Sequence, residues 1–422
     1  MADIVFILLF FLVLKASAFL SLECLNLNYL SKNSKDLPLT VEGIMDNDTF
    51  VKSVNYTRTK STFSCISSIY DSAILCLVLI FSLIPWLYEV LTNYFGQGYL
   101  GQSLVFIISV SLFGLPSLPF SWWSTFKIEE AFGFNKSTLK LWITDQFKGF
   151  TLAIIIGTPL FMALMWIVNQ MGNLWWIWAF LFFWGFQILM IVIYPMYIMP
   201  LFNKLEPMES GELKDRLLEL GNRCGFQSKT ILVMDGSKRS GHSNAFFTGF
   251  GSFRRIVLYD TLIDQMEINE IEAVLAHEIG HYKCGHIPKR LAFSAISSFL
   301  MFAFIAWLIQ SESLFIDLGF SPEMINSFNI VPPFVPAFLL LSLFGGLFTF
   351  WFSPLDSLWS RKHEYEADSF AKSAIGSPVS LKSALRKLYK ENLSNLIPHP
   401  IYSTFYYSHP TIVERESALN ED

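Results

Sequence analysis

Charge is scarce in this sequence. Of 422 residues only 15% are Asp, Glu, Lys or Arg, against 53% hydrophobic and 16% aromatic. An ordinary soluble domain carries about a quarter charged residues, so a chain this apolar has too little polar surface to cover itself in water. Cysteine is scarce too. Its five residues (Cys24, Cys65, Cys76, Cys224, Cys284) are scattered, odd in number and without a CxxC pair, which excludes a disulfide scaffold and a cysteine-based zinc module. With a net charge of −5 there is no basic field, and nucleic acid is excluded as a partner. Fixed-period repeats and low-complexity tracts are also missing.

Long apolar runs are what the sequence has in abundance. A helix needs about 20 mostly apolar residues to cross the hydrocarbon layer. Seven such runs stand at 4–22, 70–90, 99–121, 149–169, 174–201, 291–310 and 334–355, with Asn169 to Asn173 as the turn inside an interval, 149–203, that has no charged residue at all. The amino end, Met1-Ala2-Asp3, carries no positive charge, so the first run is expected to be a retained span rather than a cleaved leader. The connections 23–69, 122–148 and 202–290 and the tail after 355 hold every Lys and Arg except Lys15. By the positive-inside rule these face the cytosol, and the amino terminus and the acidic loop 311–333 face the lumen. Trp122, Trp123, Trp175, Trp176 and Trp178 read as an interface belt.

The predicted architecture is an α-helical polytopic membrane protein, with seven helices and a mostly helical cytosolic portion that includes a small β-hairpin. It divides into 1–201 (five spans), 202–290 (a cytosolic segment), 291–355 (spans six and seven) and 356–422 (a cytosolic carboxyl-terminal segment). Within 202–290, Glu212 to Leu218 has helical spacing and Ile231 to Met234 reads as a strand. Asn244 to Phe250 and Arg255 to Tyr259 read as a hairpin turning at Gly251 to Phe253. Residues 269–276 then form a helix that runs into AVLAHEIGHYKCGH, 273–286.

On that helix His277 and His281 are four apart and share a face, so both imidazoles can address one ion. Glu278 lies about 100° around the helix, close enough to handle a water at the ion without being a ligand. This is the HExxH pattern of metalloproteases. A catalytic zinc takes three protein ligands. The metzincin positions for a third histidine and a glycine are Ile287 and Cys284 here, which excludes that class. Cys284 is about 10 Å along the axis from His277, and His286 is off the face and reads as a surface or packing residue. The remaining candidate lies in 361–368, where Glu364 and Asp368 share a helical face and Glu366 points the other way. On spacing alone, a ligand at Glu364 with Asp368 orienting a histidine and an ordinary charged helix face fit equally. Asn244 likewise reads either as a turn residue at a strand start or as part of a free sheet edge that holds an extended peptide.

The chain resembles the type I CAAX prenyl proteases, integral-membrane zinc metalloproteases. The residues that carry the resemblance are His277-Glu278-Ile279-Gly280-His281, Glu364-Tyr365-Glu366-Ala367-Asp368, Ser243 to Phe246 with Arg255 to Leu258, Ile128 to Thr138, and Ser408-His409-Pro410 with Glu414-Arg415. The resemblance implies seven helices enclosing a chamber at the endoplasmic reticulum membrane. It implies one Zn2+ held by His277, His281 and Glu364, Glu278 in acid–base catalysis and Asp368 supporting a ligand. It further implies that Asn244, Ala245, His409 and Arg415 contact a substrate, a prenylated CAAX peptide or protein, taken from membrane lipid. The terminal three residues after the prenylated cysteine would be removed, and some family members make a second, amino-terminal cut. The competing readings are an HtpX-like membrane quality-control protease and a translocon-clearing factor.

Overall fold

The computed structural model describes residues 3–38, 41–226, 230–248, 255–327 and 333–421. Among these, seven helical segments are long and apolar enough to cross a membrane: Asp3–Asn33, Asn47–Ile80, Tyr99–Phe132, Leu139–Gln170, Gly172–Phe202, His286–Leu308 and Phe334–Ile375. The chain is a multi-pass membrane protein with the expected number of spans, but the helices outrun their apolar stretches. At 1.5 Å per residue the 31 residues of Asp3–Asn33 extend about 46 Å, well beyond a hydrocarbon layer of about 30 Å.

That excess corrects the reading of 23–69 as a loop. Most of it is helix, because its polar side chains find tertiary partners near the carboxyl terminus. Tyr402 Oη donates to Glu23 Oε1 (3.1 Å), His399 N donates to Asn26 Oδ1 (3.0 Å) and Ser53 Oγ donates to the Ser394 carbonyl (2.8 Å). Hydropathy does not register such contacts. A second correction concerns 70–90, which is not one span. The second helix stops at Ile80, and the chain turns at Ser82 with φ of 48°. A separate helix, Leu83–Phe95, then begins. Gly319 packs so closely on this turn that a Cβ there would stand 2.5 Å from Ser82 Oγ. The tryptophans also divide. Trp123 and Trp178 are half exposed, whereas Trp175 is buried against Phe334 and so does not belong to a surface belt.

Between the fifth and sixth membrane segments the chain forms a four-stranded sheet, β1 (Leu205–Pro207), β2 (Ile231–Met234), β3 (Ala245–Thr248) and β4 (Arg255–Tyr259), in the order β1-β2-β4-β3. β3 pairs antiparallel with β4, Ala245 opposite Leu258 and Thr248 opposite Arg255, so β3 is an edge strand. The expected turn at 251–253 lies outside the described residues. Alternation along the strands sends Ile231, Ile256 and Leu258 into one core with Leu217, Leu220, Ile271 and Leu275, and Leu232, Met234 and Val257 to the other face. The first of these cores also takes in Leu30, Val41, Phe50 and Val54 from the amino-terminal end. A separate apolar core, with Phe161, Phe302, Phe334 and Leu339, joins the membrane helices.

Candidate metal centre and active site

The helix Ile268–Lys283 carries the HExxH residues. A reciprocal cap between Glu267 and Glu270 begins it. Glu270, buried, also accepts from Lys387 Nζ (2.7 Å) and Ser383 Oγ (2.6 Å), which pins this end to the helix Val379–Glu391. At the other end Gly285 adopts φ of 70°, a left-handed geometry that glycine accepts without strain, and the chain turns into the sixth membrane helix.

The third contributor stands on the helix Ser353–Ile375, which continues the seventh membrane segment without a break in helical structure. Gly280 decides how near the two helices come. A Cβ on it would lie 2.9 Å from both Cα and the carbonyl oxygen of Ala367. We expect Gly280→Ala to force the helices apart, at an overpacking cost of about 1–3 kcal/mol, and to weaken metal retention against a chelator. Gly185→Ala, where nothing lies within 4 Å of the added carbon, serves as control; equal metal retention in both variants would contradict this packing account.

Across this contact three buried or half-buried groups converge. His277 Nε2 lies 3.2 Å from His281 Nε2 and 3.3 Å from Glu364 Oε2, and His281 Nε2 lies 3.3 Å from Glu364 Oε1. Zinc bonds of about 2.0–2.1 Å at tetrahedral angles place neighbouring ligand atoms about 3.3 Å apart, so the triangle has the size for one ion. Two further observations agree. Glu364 Oε2 is buried and meets the His277 imidazole, 3.3 Å away, and two imidazole nitrogens facing each other beside a carboxylate suit a shared cation. Burial opposes positive charge on His277, yet its hydrogen bonds to Asp368 and Glu364 prevail and raise it to about 9. The pocket favours a cation.

The outer ring nitrogens are fixed from behind. His277 Nδ1 donates to Asp368 Oδ1 (2.8 Å), and Asp368 is clamped by Arg415, whose Nε donates to Oδ2 (2.8 Å) and Nη2 to Oδ1 (2.5 Å). His281 Nδ1 lies 2.9 Å from His286 Nδ1, and His286 Nε2 lies 2.9 Å from Glu366 Oε2. A proton on His281 Nδ1 and another on His286 Nε2 satisfy this chain and leave His281 Nε2 with its lone pair toward the pocket. Sequence reasoning missed that brace. His286 is indeed a buried packing histidine, and Glu366 does point away from Glu364, but together they orient a ligand candidate. In the sequence only their position beside the two motifs marks them. Cys284, His286 and Glu366 also come within 4.8 Å of one another. Lys289 and Lys362 stand 3.8 and 3.9 Å from Glu366, however, and supply the positive charge there.

Glu278 is half-buried and faces a cavity of about 730 Å³ that is also lined by His277, Glu364, Asn244, Ala245, His409 and Arg415. The cavity walls desolvate its carboxyl and push it up, against the pull of His277 and His281, a direction that suits a group exchanging protons near neutrality. Asn244 is exposed and its Oδ1 accepts from Ala245 N (2.8 Å), which fixes the start of the edge strand. His409 Nε2 is 3.5 Å from Glu364 Oε1. Arg415 is only 5% exposed and its guanidinium is committed to Asp368, with Nη1 3.6 Å from Glu364. It braces the ligand shell.

Residues 207–422 match the family model described as Peptidase family M48, and residues 26–204 match that described as CAAX prenyl protease N-terminal, five membrane helices. The chain belongs to peptidase family M48. Among relatives, CAAX prenyl protease 1 of Saccharomyces cerevisiae is 39% identical over 416 residues, covering 93% of this chain and 90% of that protein. The human CAAX prenyl protease 1 homolog is 34% identical over 439 residues, covering 92% and 89%. The crystal structure of S. mikatae Ste24p superimposes with a TM-score of 0.89 at 37% identity, covering 100% of this chain and 99% of that one. As a family M48 member the chain is a metalloprotease set in a bundle of membrane helices.

Proposed function

We propose that this chain is a zinc-dependent endopeptidase of the endoplasmic reticulum membrane that cuts after the prenylated cysteine of a CAAX-terminated protein and releases the last three residues. The observation that carries this reading is the ion-sized triangle of His277, His281 and Glu364, set beside a free sheet edge in a cavity among membrane helices. The names of the relatives give the substrate class, and five membrane helices ahead of the peptidase part favour it over the HtpX-like reading.

In this reading residues 1–201 and 291–355 form the membrane bundle, with the amino terminus lumenal. Residues 202–290 and 356–422 lie on the cytosolic side and supply the two halves of the site. His277, His281 and Glu364 would hold a zinc ion, which would supply Lewis-acid polarisation at the scissile bond. Glu278 accepts a proton from the attacking water and returns it to the departing amine. Asp368, held by Arg415, keeps the His277 ring in register, and His286 with Glu366 does so for His281. Ala245 on β3 and Asn244 just before it hold the peptide by main-chain hydrogen bonds, which makes few demands on side-chain identity. His409, with Nε2 3.5 Å from Glu364 Oε1, donates in this reading to the oxygen that gains negative charge.

Placement in a membrane follows from the substrate. Burial of a prenyl chain is worth about 0.8 kcal/mol per CH₂, so the substrate resides in lipid and reaches this enzyme without being drawn into water. The test is cleavage of a farnesylated CAAX peptide by the purified full-length protein. Cleavage is expected to stop when a chelator strips the metal and to return with one equivalent of zinc. Undiminished cleavage by the stripped protein would overturn the reading.

A further inference from the structure

A protease that stops three residues from a chain end must register that end. The fragment released in the proposed reaction has one group that an internal peptide stretch lacks, a terminal carboxylate, and an anion taken into a protein interior needs a cationic or hydrogen-bonding partner. The active-site cavity is lined by Glu278, Ala245, Asn244, Ser243, His242 and Lys60 together. A peptide added antiparallel to β3 directs its carboxyl end toward the residues that precede β3, Ser243 and His242. Three extended residues beyond the scissile carbonyl cover about 10 Å.

Among the described residues the basic groups lining this cavity are Lys60, Arg415 and the imidazoles of His242, His277 and His409. Arg415 is taken by Asp368, while His277 and His409 crowd Glu364. Lys60 is placed differently. Its side chain is 52% open, it donates to Tyr56 Oη (3.1 Å), and Glu129 Oε1 stands 3.7 Å away, beyond hydrogen-bond reach. An ammonium group has three donors, so two remain for a ligand. Glu129 is the ion-pair partner of Lys60 and also accepts from Tyr56 Oη at Oε1 (2.7 Å), while His242 is held at both ring nitrogens, Nε2 3.3 Å from Glu129 Oε2 and Nδ1 2.9 Å from Asn392 Oδ1.

We propose that the Lys60 ammonium binds the carboxyl-terminal carboxylate of the peptide substrate and thereby sets the cut three residues from the end. The proposal rests on the prenyl-peptidase reading above. It is tested with two farnesylated peptides that differ only in ending as a free acid or as a carboxamide. Wild-type protein is expected to show a KM about tenfold lower for the acid, the value of one charge-assisted hydrogen bond. Lys60→Gln should raise KM for the acid to that of the amide, leave amide turnover unchanged and so report intact folding, while Lys60→Arg keeps most of the preference. Lys15→Gln, in an adjoining cavity that Lys60 also lines, should leave the preference as it is. Equal wild-type KM for acid and amide, a Lys60→Gln loss shared by both peptides, or loss of the preference in Lys15→Gln would each overturn the carboxylate site. Cleavage of neither peptide by wild type would instead overturn the parent reading. The wild-type comparison needs no variant to fold.

Discussion

Glu278→Gln is expected to lower kcat on a farnesylated CAAX peptide about a thousandfold, within the range for loss of a general acid–base group, while bound zinc stays at wild-type level. The two halves of this expectation come from the same geometry. Glu278 adjoins His277 in sequence but contributes no atom to the triangle of His277, His281 and Glu364, so its carboxylate is free of any ligand role. Glutamine keeps the size and the hydrogen-bonding reach but takes up no proton. Parallel measurements of turnover and metal content check the point. Turnover within tenfold of wild type would show that some other group moves the proton, and loss of zinc would show that Glu278 belongs to the ligand set.

Glu364→Ala should act on the other half of the site, with a loss of zinc affinity exceeding the 10- to 100-fold typical of removing an outer hydrogen-bond partner, and with activity falling in step. More is removed than one ligand. Arg415 Nη1 and His409 Nε2 stand 3.6 and 3.5 Å from the Glu364 carboxylate, and without that anion the pocket presents two imidazoles and no carboxylate to offset the charge of a dication. The fold should survive, because the Arg415–Asp368 clamp and the contact at Gly280 do not involve this side chain. Competition with a chromogenic chelator measures the affinity. Wild-type affinity in this variant would remove Glu364 from the ion.

Much of this was legible in the sequence for identifiable reasons. His277 and His281 announce themselves through helical spacing, and apolar runs report the number of membrane crossings because lipid imposes a length. What stayed hidden depends on contacts between distant segments. Spacing within 361–368 left Glu364 undecided, since only the approach of two helices at Gly280 brings it to the histidines. The break at Ser82 lies between two apolar stretches and leaves no hydropathy signal. The helical extension of 23–69 is held by Asn26, Glu23 and Ser53, whose partners lie more than 300 residues away. His286 looked peripheral because its role is to hold another histidine. Arg415 was expected at the substrate; its burial against Asp368 turns it toward the ligand shell.

In the proposed site one ion is shared by two imidazoles and a carboxylate from separate helices. X-ray absorption at the zinc edge on the purified full-length protein tests it most directly. The account expects one zinc per chain with only nitrogen and oxygen neighbours at about 2.0–2.1 Å, including two imidazoles. A sulfur neighbour at about 2.3 Å, which Cys284 in the adjacent trio would supply, or a protein that binds no zinc, would contradict it.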